Sequence, residues 1–176
     1  MAPQFLTKLS LALILATAVI STSAAASKLK KTNLILYFQD FANGPNATFT
    51  TVAGIAGKPW NFTEFGTIFV TDDPITAGPA PNSTALGRAR GIYAVTGLDG
   101  QNLLVVLSLA LADGSSIEIQ GTSRQFEGVR ELGVVSGTGK FRFATGYAIA
   151  RNVVTDIPNG YTVIQFNVTV KHYRRS

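Results

Sequence analysis

The segment Tyr161–Tyr173, YTVIQFNVTVKHY, alternates almost without a break. Thr162, Ile164, Phe166, Val168 and Val170 fall on one face, and Tyr161, Val163, Gln165, Asn167 and Thr169 on the other. A period of two belongs to a strand with one buried face. Such segments recur along the chain, and strands are predicted at Asn33–Asp40, Ala47–Gly54, Phe65–Asp72, Leu86–Gly97, Gln101–Ala112, Ser115–Gly121, Leu132–Val135, Phe141–Asp156 and Tyr161–Tyr173. Clusters of Gly, Pro, Asn and Asp separate them at short intervals, as in a β-sandwich or barrel. The Asp-Gly pairs in LDGQN and ADGSS and the Asn-Gly pair in IPNGY are hairpin signals. Phe141–Asp156 and Tyr161–Tyr173 should therefore be antiparallel neighbours. No segment after the N-terminal run keeps a helical period, so one all-β domain is expected over residues 27–176.

Residues 1–26 are excluded from that domain. Lys8 precedes the apolar run LSLALILATAVI, which is too short to span a bilayer. STSAAAS then supplies small residues in an A-x-A pattern at Ala24 and Ala26. This is the form of a secretory signal peptide cut after Ala26, and the mature protein is expected to be soluble, without a membrane segment. Four N-x-[ST] sequons, at Asn46, Asn61, Asn82 and Asn167, predict a glycoprotein of the eukaryotic secretory route. Asn167 can carry a sugar only if its strand face meets water. There is no cysteine, so stability must come from packing, sheet closure and subunit contacts, and thiol chemistry is excluded. The net charge of +5 falls to about +4 without Lys8, part of it in the tail KHYRRS. That tail reads as a solvated terminus, and a basic secreted protein is drawn to acidic polysaccharide. Nucleic acid is not an expected partner, because no basic run is interleaved with aromatics.

The catalytic inventory is sparse. His172 is the only histidine, so neither a Ser-His-Asp triad nor a His-based metal site can be built. It reads as a partly packed imidazole near a frayed end. SGTGK at Ser136–Lys140 departs from a phosphate loop, with Val134 in place of the first glycine and Phe141 in place of the Ser or Thr. It reads as a tight turn. TDDP at Thr71–Pro74 lacks a calcium-loop ligand series and reads as an Asp-rich turn before proline. Three polar groups on apolar faces remain. Asp40 ends the alternating run LILYFQD, either to start a turn or as a carboxyl at a cavity mouth, where desolvation would raise its pKa and make it a proton donor. Tyr93 shares a face with the small residues Ala89 and Gly91, which would leave room for a ligand. Arg130, in GVREL, either pairs with a surface carboxylate or belongs to the same site.

Taken in order, LYFQD, GPNAT, FGTIFVTDDPITAGP, LGRARGIYA, GTSRQFEGVRELGVVSGTGKFRFATGYA and FNVTVKHY resemble the plant dirigent proteins over the whole mature chain. The resemblance implies an eight-stranded antiparallel β-barrel of the dirigent or allene oxide cyclase type, assembled as a trimer and secreted to the apoplast, with no cofactor. It implies a protein that orients monolignol-type phenoxy radicals such as those of coniferyl alcohol, made by a separate laccase or peroxidase, so that one stereoisomer forms in lignan and phenylpropanoid metabolism. Such a protein has no oxidising power of its own. A related branch acts on quinone methides as cofactor-free dehydratases or cyclases that form pterocarpans. A cell-wall defence or structural role is the third alternative. By resemblance Asp40 is the pocket carboxylate that protonates a quinone methide oxygen, Tyr93 the pocket tyrosine, and Arg130 the arginine that binds a phenolic or methoxy oxygen.

Two departures weigh against the pinoresinol-forming branch. Ser123 stands where its second carboxylate is expected, with Thr122 beside it, and its usual cysteine pair is absent. Ser123 or Thr122 could still hydrogen-bond a substrate oxygen. NLLVVLSLALADG adds one constraint of its own, because it is apolar on both faces. A barrel covers one face, and a second subunit is the economical cover for the other. Light scattering after size exclusion at micromolar concentration should therefore report a homo-oligomer, and a monomer would refute this expectation.

Overall fold

The structure is a computed structural model that describes residues 29–173. The predicted signal peptide and the last residues of the basic tail lie outside the described residues. Nine strands follow in order: β1 (Leu29–Phe41), β2 (Phe49–Ala53), β3 (Ile68–Thr76), β4 (Ala85–Val95), β5 (Asn102–Leu111), β6 (Ser116–Arg124), β7 (Arg130–Thr138), β8 (Thr145–Asp156) and β9 (Tyr161–Tyr173). A single 3₁₀ turn, Gly139–Phe141, separates β7 from β8.

All pairings are antiparallel. The order β1-β9-β8-β7-β6-β5-β4-β3 forms an eight-stranded ring, and β1 closes it onto β3 through Tyr37–Thr76 and Phe38–Ile75. The short β2 takes over the same edge of β3 from Thr71 to Ile68. Closure leaves few exposed edges, the usual solution for an all-β chain. The hairpins fall where the Asp-Gly and Asn-Gly pairs predict them. Gly114 (φ +78°) and Gly160 (φ +62°) adopt left-handed backbone there, which a side chain would resist.

The alternation of each strand sends one set of side chains inward. Leu36 and Phe38 of β1, Leu103, Val105, Leu107 and Leu109 of β5, Ile117 and Ile119 of β6, and Phe166, Val168 and Val170 of β9 form one continuous core. The rings of Phe38 and Phe166 stack across β1 and β9, with centroids 4.1 Å apart and planes at 16°. One end of the barrel is plugged. Phe141 is fully buried and meets the His172 ring edge-on at 5.1 Å. His172 is only 3% exposed and shares a hydrogen bond with the Thr32 hydroxyl at 2.9 Å. It is thus sealed into the plugged end, where β9 stays paired with β1 to the last described residue, and it does not sit at a frayed terminus.

Several strand limits differ from the sequence reading. β8 starts at Thr145, because Phe141 turns inward as the plug. β7 runs on through Ser136–Thr138, so only Gly139–Phe141 make the turn expected across Ser136–Lys140. The main correction is in β3. Thr71–Pro74 are not a turn but the middle of the strand. The Asp72 amide points across the barrel seam to the Thr48 carbonyl at 2.8 Å. Two residues on, the Pro74 nitrogen faces the same seam, where β1 and β3 are parting, so proline forfeits no ladder hydrogen bond.

The outer face of β5 is apolar mainly at its start. Leu104 is half-buried and Val106 is 37% exposed, beside Ile92 of β4 at 40%. Further on, Ser108 bonds Glu118 of β6. Asn46, Asn61 and Asn82 are exposed in loops, whereas Asn167 is half-buried in β9 and accepts a hydrogen bond from Gln165. Replacing the fully buried Phe38 with alanine should lower the unfolding free energy by about 3–5 kcal/mol in equilibrium urea denaturation. A loss below about 1 kcal/mol would contradict the stacking of Phe38 on Phe166.

Candidate active site

The end opposite the plug carries the polar interior. Inward alternation along β1 runs Leu36, Phe38, Asp40. Asp40 lies two residues beyond the last β1–β3 pair, Phe38–Ile75, and Asp73 of β3 two residues before it, near enough for the Asp73 charge to act on Asp40. Asp73 is 1% exposed, and Asp40 is half-buried. Burial is the main reason that Asp40 is pushed up to about 7, and the nearby Asp73 charge adds to it. Burial also drives Asp73 up, to about 6, against the hydroxyls of Thr48 and Thr71 and the charge of Arg88, which favour its anion. Both carboxyls are therefore held well above the ordinary range, Asp40 higher than Asp73. Asp73 was missed in the sequence because Asp-Asp-Pro has the composition of a turn. The available signal was the flanking pattern IFVTDDPIT, in which Phe69, Thr71, Asp73 and Ile75 share a face.

β4 and β7 complete the constellation. Tyr93 lies opposite Phe69 of β3 and Val105 of β5, on the inner face. Burial raises its phenol far above the ordinary value, Asp73 and Asp40 push it the same way, and Arg130 opposes them. Tyr93 therefore stays protonated as a donor. Arg130 opens β7 opposite Ala150, an inward position. Burial weakens its hold on its proton, but it remains a cation. It donates through Nη2 to Asn152 of β8, while its Nε is buried without a partner. The structure thus brings Asp40, Tyr93 and Arg130 together with Asp73. Ser123 is buried on the inner face opposite Leu103. Thr122 is a correction: the same alternation turns it outward, where it is exposed opposite Leu104 and cannot line the pocket.

One wall is aromatic. Phe49 of β2, Phe62 of the loop between β2 and β3, and Phe69 of β3 stack with centroids 4.3–5.3 Å apart. Tyr93 meets Phe49 edge-on at 5.7 Å. Behind Asp40, on the outer side, Gln39 is 1% exposed and bonds the Thr76 hydroxyl at 2.8 Å while accepting from Tyr161. This buried clamp fixes the β1 backbone beside the carboxyl. The arrangement offers a proton donor, a proton acceptor, a cation and flat apolar surface at one end of the barrel.

The family model described as Dirigent-like protein matches residues 31–171. The chain belongs to the dirigent family. It is 37% identical to pterocarpan synthase 1 of Glycine max over 147 residues, which span 81% of this chain and 79% of that relative. It is equally identical, over the same length and shares, to dirigent protein 23 of Arabidopsis thaliana. A solved pterocarpan synthase dirigent protein superposes with a TM-score of 0.77 at 36% identity, covering 85% of this chain and 88% of that one. These likenesses lean away from the pinoresinol-forming branch, as the residue at Ser123 does.

The raised carboxyl Asp40 has a stability consequence. Between its ordinary value of 3.8 and about 7, the folded protein holds a proton that the unfolded chain has released. Stability should fall as pH rises through that window. Asp40→Asn removes this contribution, so its melting temperature should change less than that of the wild type between pH 5 and 8, by at least about 2 °C. Parallel melting curves against pH would show that Asp40 is not desolvated.

Proposed function

We propose that this dirigent protein is a cofactor-free dehydratase that closes a ring on a phenolic benzylic alcohol, as in pterocarpan formation. The observation that supports the reading best is the Asp40–Asp73 pair at an aromatic-walled barrel mouth. Asp40 gives its proton to the departing hydroxyl while the Asp73 carboxylate takes the proton of the conjugated phenol. The C–O bond breaks, water leaves, and a quinone methide remains. A second phenol of the same molecule then attacks the benzylic carbon. Its proton returns to Asp40, and Asp73 returns its own to the quinone methide oxygen. The net change is loss of one water, and the pair ends as it began. Arg130 and Tyr93 hold the phenolic oxygens, and the barrel walls fix which face is attacked.

The same proposal carries secretion to the apoplast, glycosylation at the exposed sequons and assembly as a homotrimer over the apolar outer patch around Val106 and Ile92. Stereodirected coupling of phenoxy radicals supplied by a laccase or peroxidase is the second reading, favoured by the dirigent proteins among the relatives.

Incubation with an isoflavanol and no oxidant should give one enantiomer of the cyclised product on chiral chromatography. Asp40→Asn should lower the rate by at least about 100-fold with the barrel still folded. Enantiomeric excess from coniferyl alcohol only when laccase is present, with no isoflavanol turnover, would overturn the dehydratase reading in favour of radical coupling. Racemic products and no turnover with either substrate would leave a wall-structural or defence protein.

A further inference from the structure

Thr48 sits where β1 and β3 separate and β2 has not yet begun. Its amide donates to the Phe41 carbonyl at 2.8 Å, and its carbonyl accepts from the Asp72 amide at 2.8 Å, so the residue splices the seam. Its hydroxyl accepts a hydrogen bond from the Phe41 amide at 3.1 Å and stands 2.6 Å from Asp73 Oδ1. A hydroxyl has one proton. With the Phe41 amide already donating to the oxygen, that proton is directed at Asp73. Among the described residues, no equivalent side-chain donor faces the Asp40 carboxyl.

We propose that Thr48 is a positioning residue that sets which of the two carboxyls ionises first: it holds Asp73 as the anion and leaves Asp40 protonated. This rests on the dehydratase reading for its catalytic meaning, since it makes Asp40 the acid and Asp73 the base. The charged and titratable groups that act on Asp73 are Asp40 of β1, Asp72 of its own strand, and Arg88 and Tyr93 of β4. Arg130 of β7 acts on the same cluster through Tyr93. Arg88 is engaged mainly with Asp72, at 2.6 Å on the outer face. Thr71 of β3 acts on Asp73 in the same direction, but its hydroxyl makes no hydrogen bond, so Thr48 is the neutral donor whose bond separates two otherwise similar carboxyls.

The test is a ¹³C NMR titration of protein labelled at the aspartate carboxyl carbons, with signals assigned through Asp40→Asn and Asp73→Asn. In the wild type, Asp73 should lose its proton at lower pH than Asp40, and the opposite order would overturn the proposal whatever any variant does. In Thr48→Val, the Asp73 midpoint should rise by about one pH unit, the acidic limb of the rate profile should move with it, and Thr48→Ser should restore both. Unchanged midpoints in a folded Thr48→Val protein would also overturn it. Thr48 completes the Asn46 sequon, so Asn46→Gln, which removes the sugar and keeps the hydroxyl, should titrate like the wild type. The titration needs no substrate. An inactive protein with the expected order would refute the proposed function and still support the role of Thr48.

Discussion

The seam between β1 and β3 is the interaction on which the barrel depends. Seven of the ring's eight joints are ladders of at least five residue pairs, but this one is made by two. Gln39 bonds the Thr76 hydroxyl across it, and Thr48 extends it beyond the second pair by tying the backbones of Phe41 and Asp72 together. A ring closed so sparingly can part without unravelling. The parting lies at the end that carries Asp40 and Asp73, while Phe141 and His172 fill the other. The place of the polar interior is therefore a product of strand register.

That register also sets the electrostatics. Antiparallel pairing that begins at Tyr37–Thr76 carries two aspartates near each other just where water is scarce. Each would be an ordinary surface carboxylate elsewhere, as Asp72 shows. One residue away and facing outward, Asp72 feels some burial, but the hydrogen bonds and charges of Arg88 and Arg90 outweigh it and lower its pKa. The contrast between Asp72 and Asp73 follows from the strand period alone. Adjacent residues of one type receive opposite environments because alternate side chains leave opposite faces.

Periodicity made most of this legible in the sequence. The clean alternation of β9 and the turn glycines gave an all-β domain, the resemblance to dirigent proteins gave the eight-stranded barrel, and LILYFQD marked Asp40 because an apolar face ended in a charge. Asp73 was hidden by local composition. Asp-Asp-Pro favours a turn, and only the tertiary fact that Pro74 faces an unpaired seam makes it acceptable within a strand. Thr122 and Ser123 were inseparable until the phase of β6 was known, because strand phase at a barrel rim depends on where the strand starts. The aromatic wall was out of reach for another reason. Phe62 belongs to a loop without period, and Phe49 and Phe69 meet only through closure of the ring.

The two functional readings ask different things of the same mouth. Two phenoxy radicals join by sharing their unpaired electrons, and that step moves no proton. A site devoted to it needs walls and orientation. Burying two carboxyls side by side opposes their ionisation, and folding offers many apolar substitutes for that position. A protein that only aligned radicals would use the pair no earlier than a later cyclisation. Loss of water from a benzylic alcohol uses it at once, because one proton must arrive as another departs and both transfers must reverse before the cycle ends. Two desolvated carboxyls, one of them held by the Thr48 hydroxyl and the other without such a donor, meet that requirement.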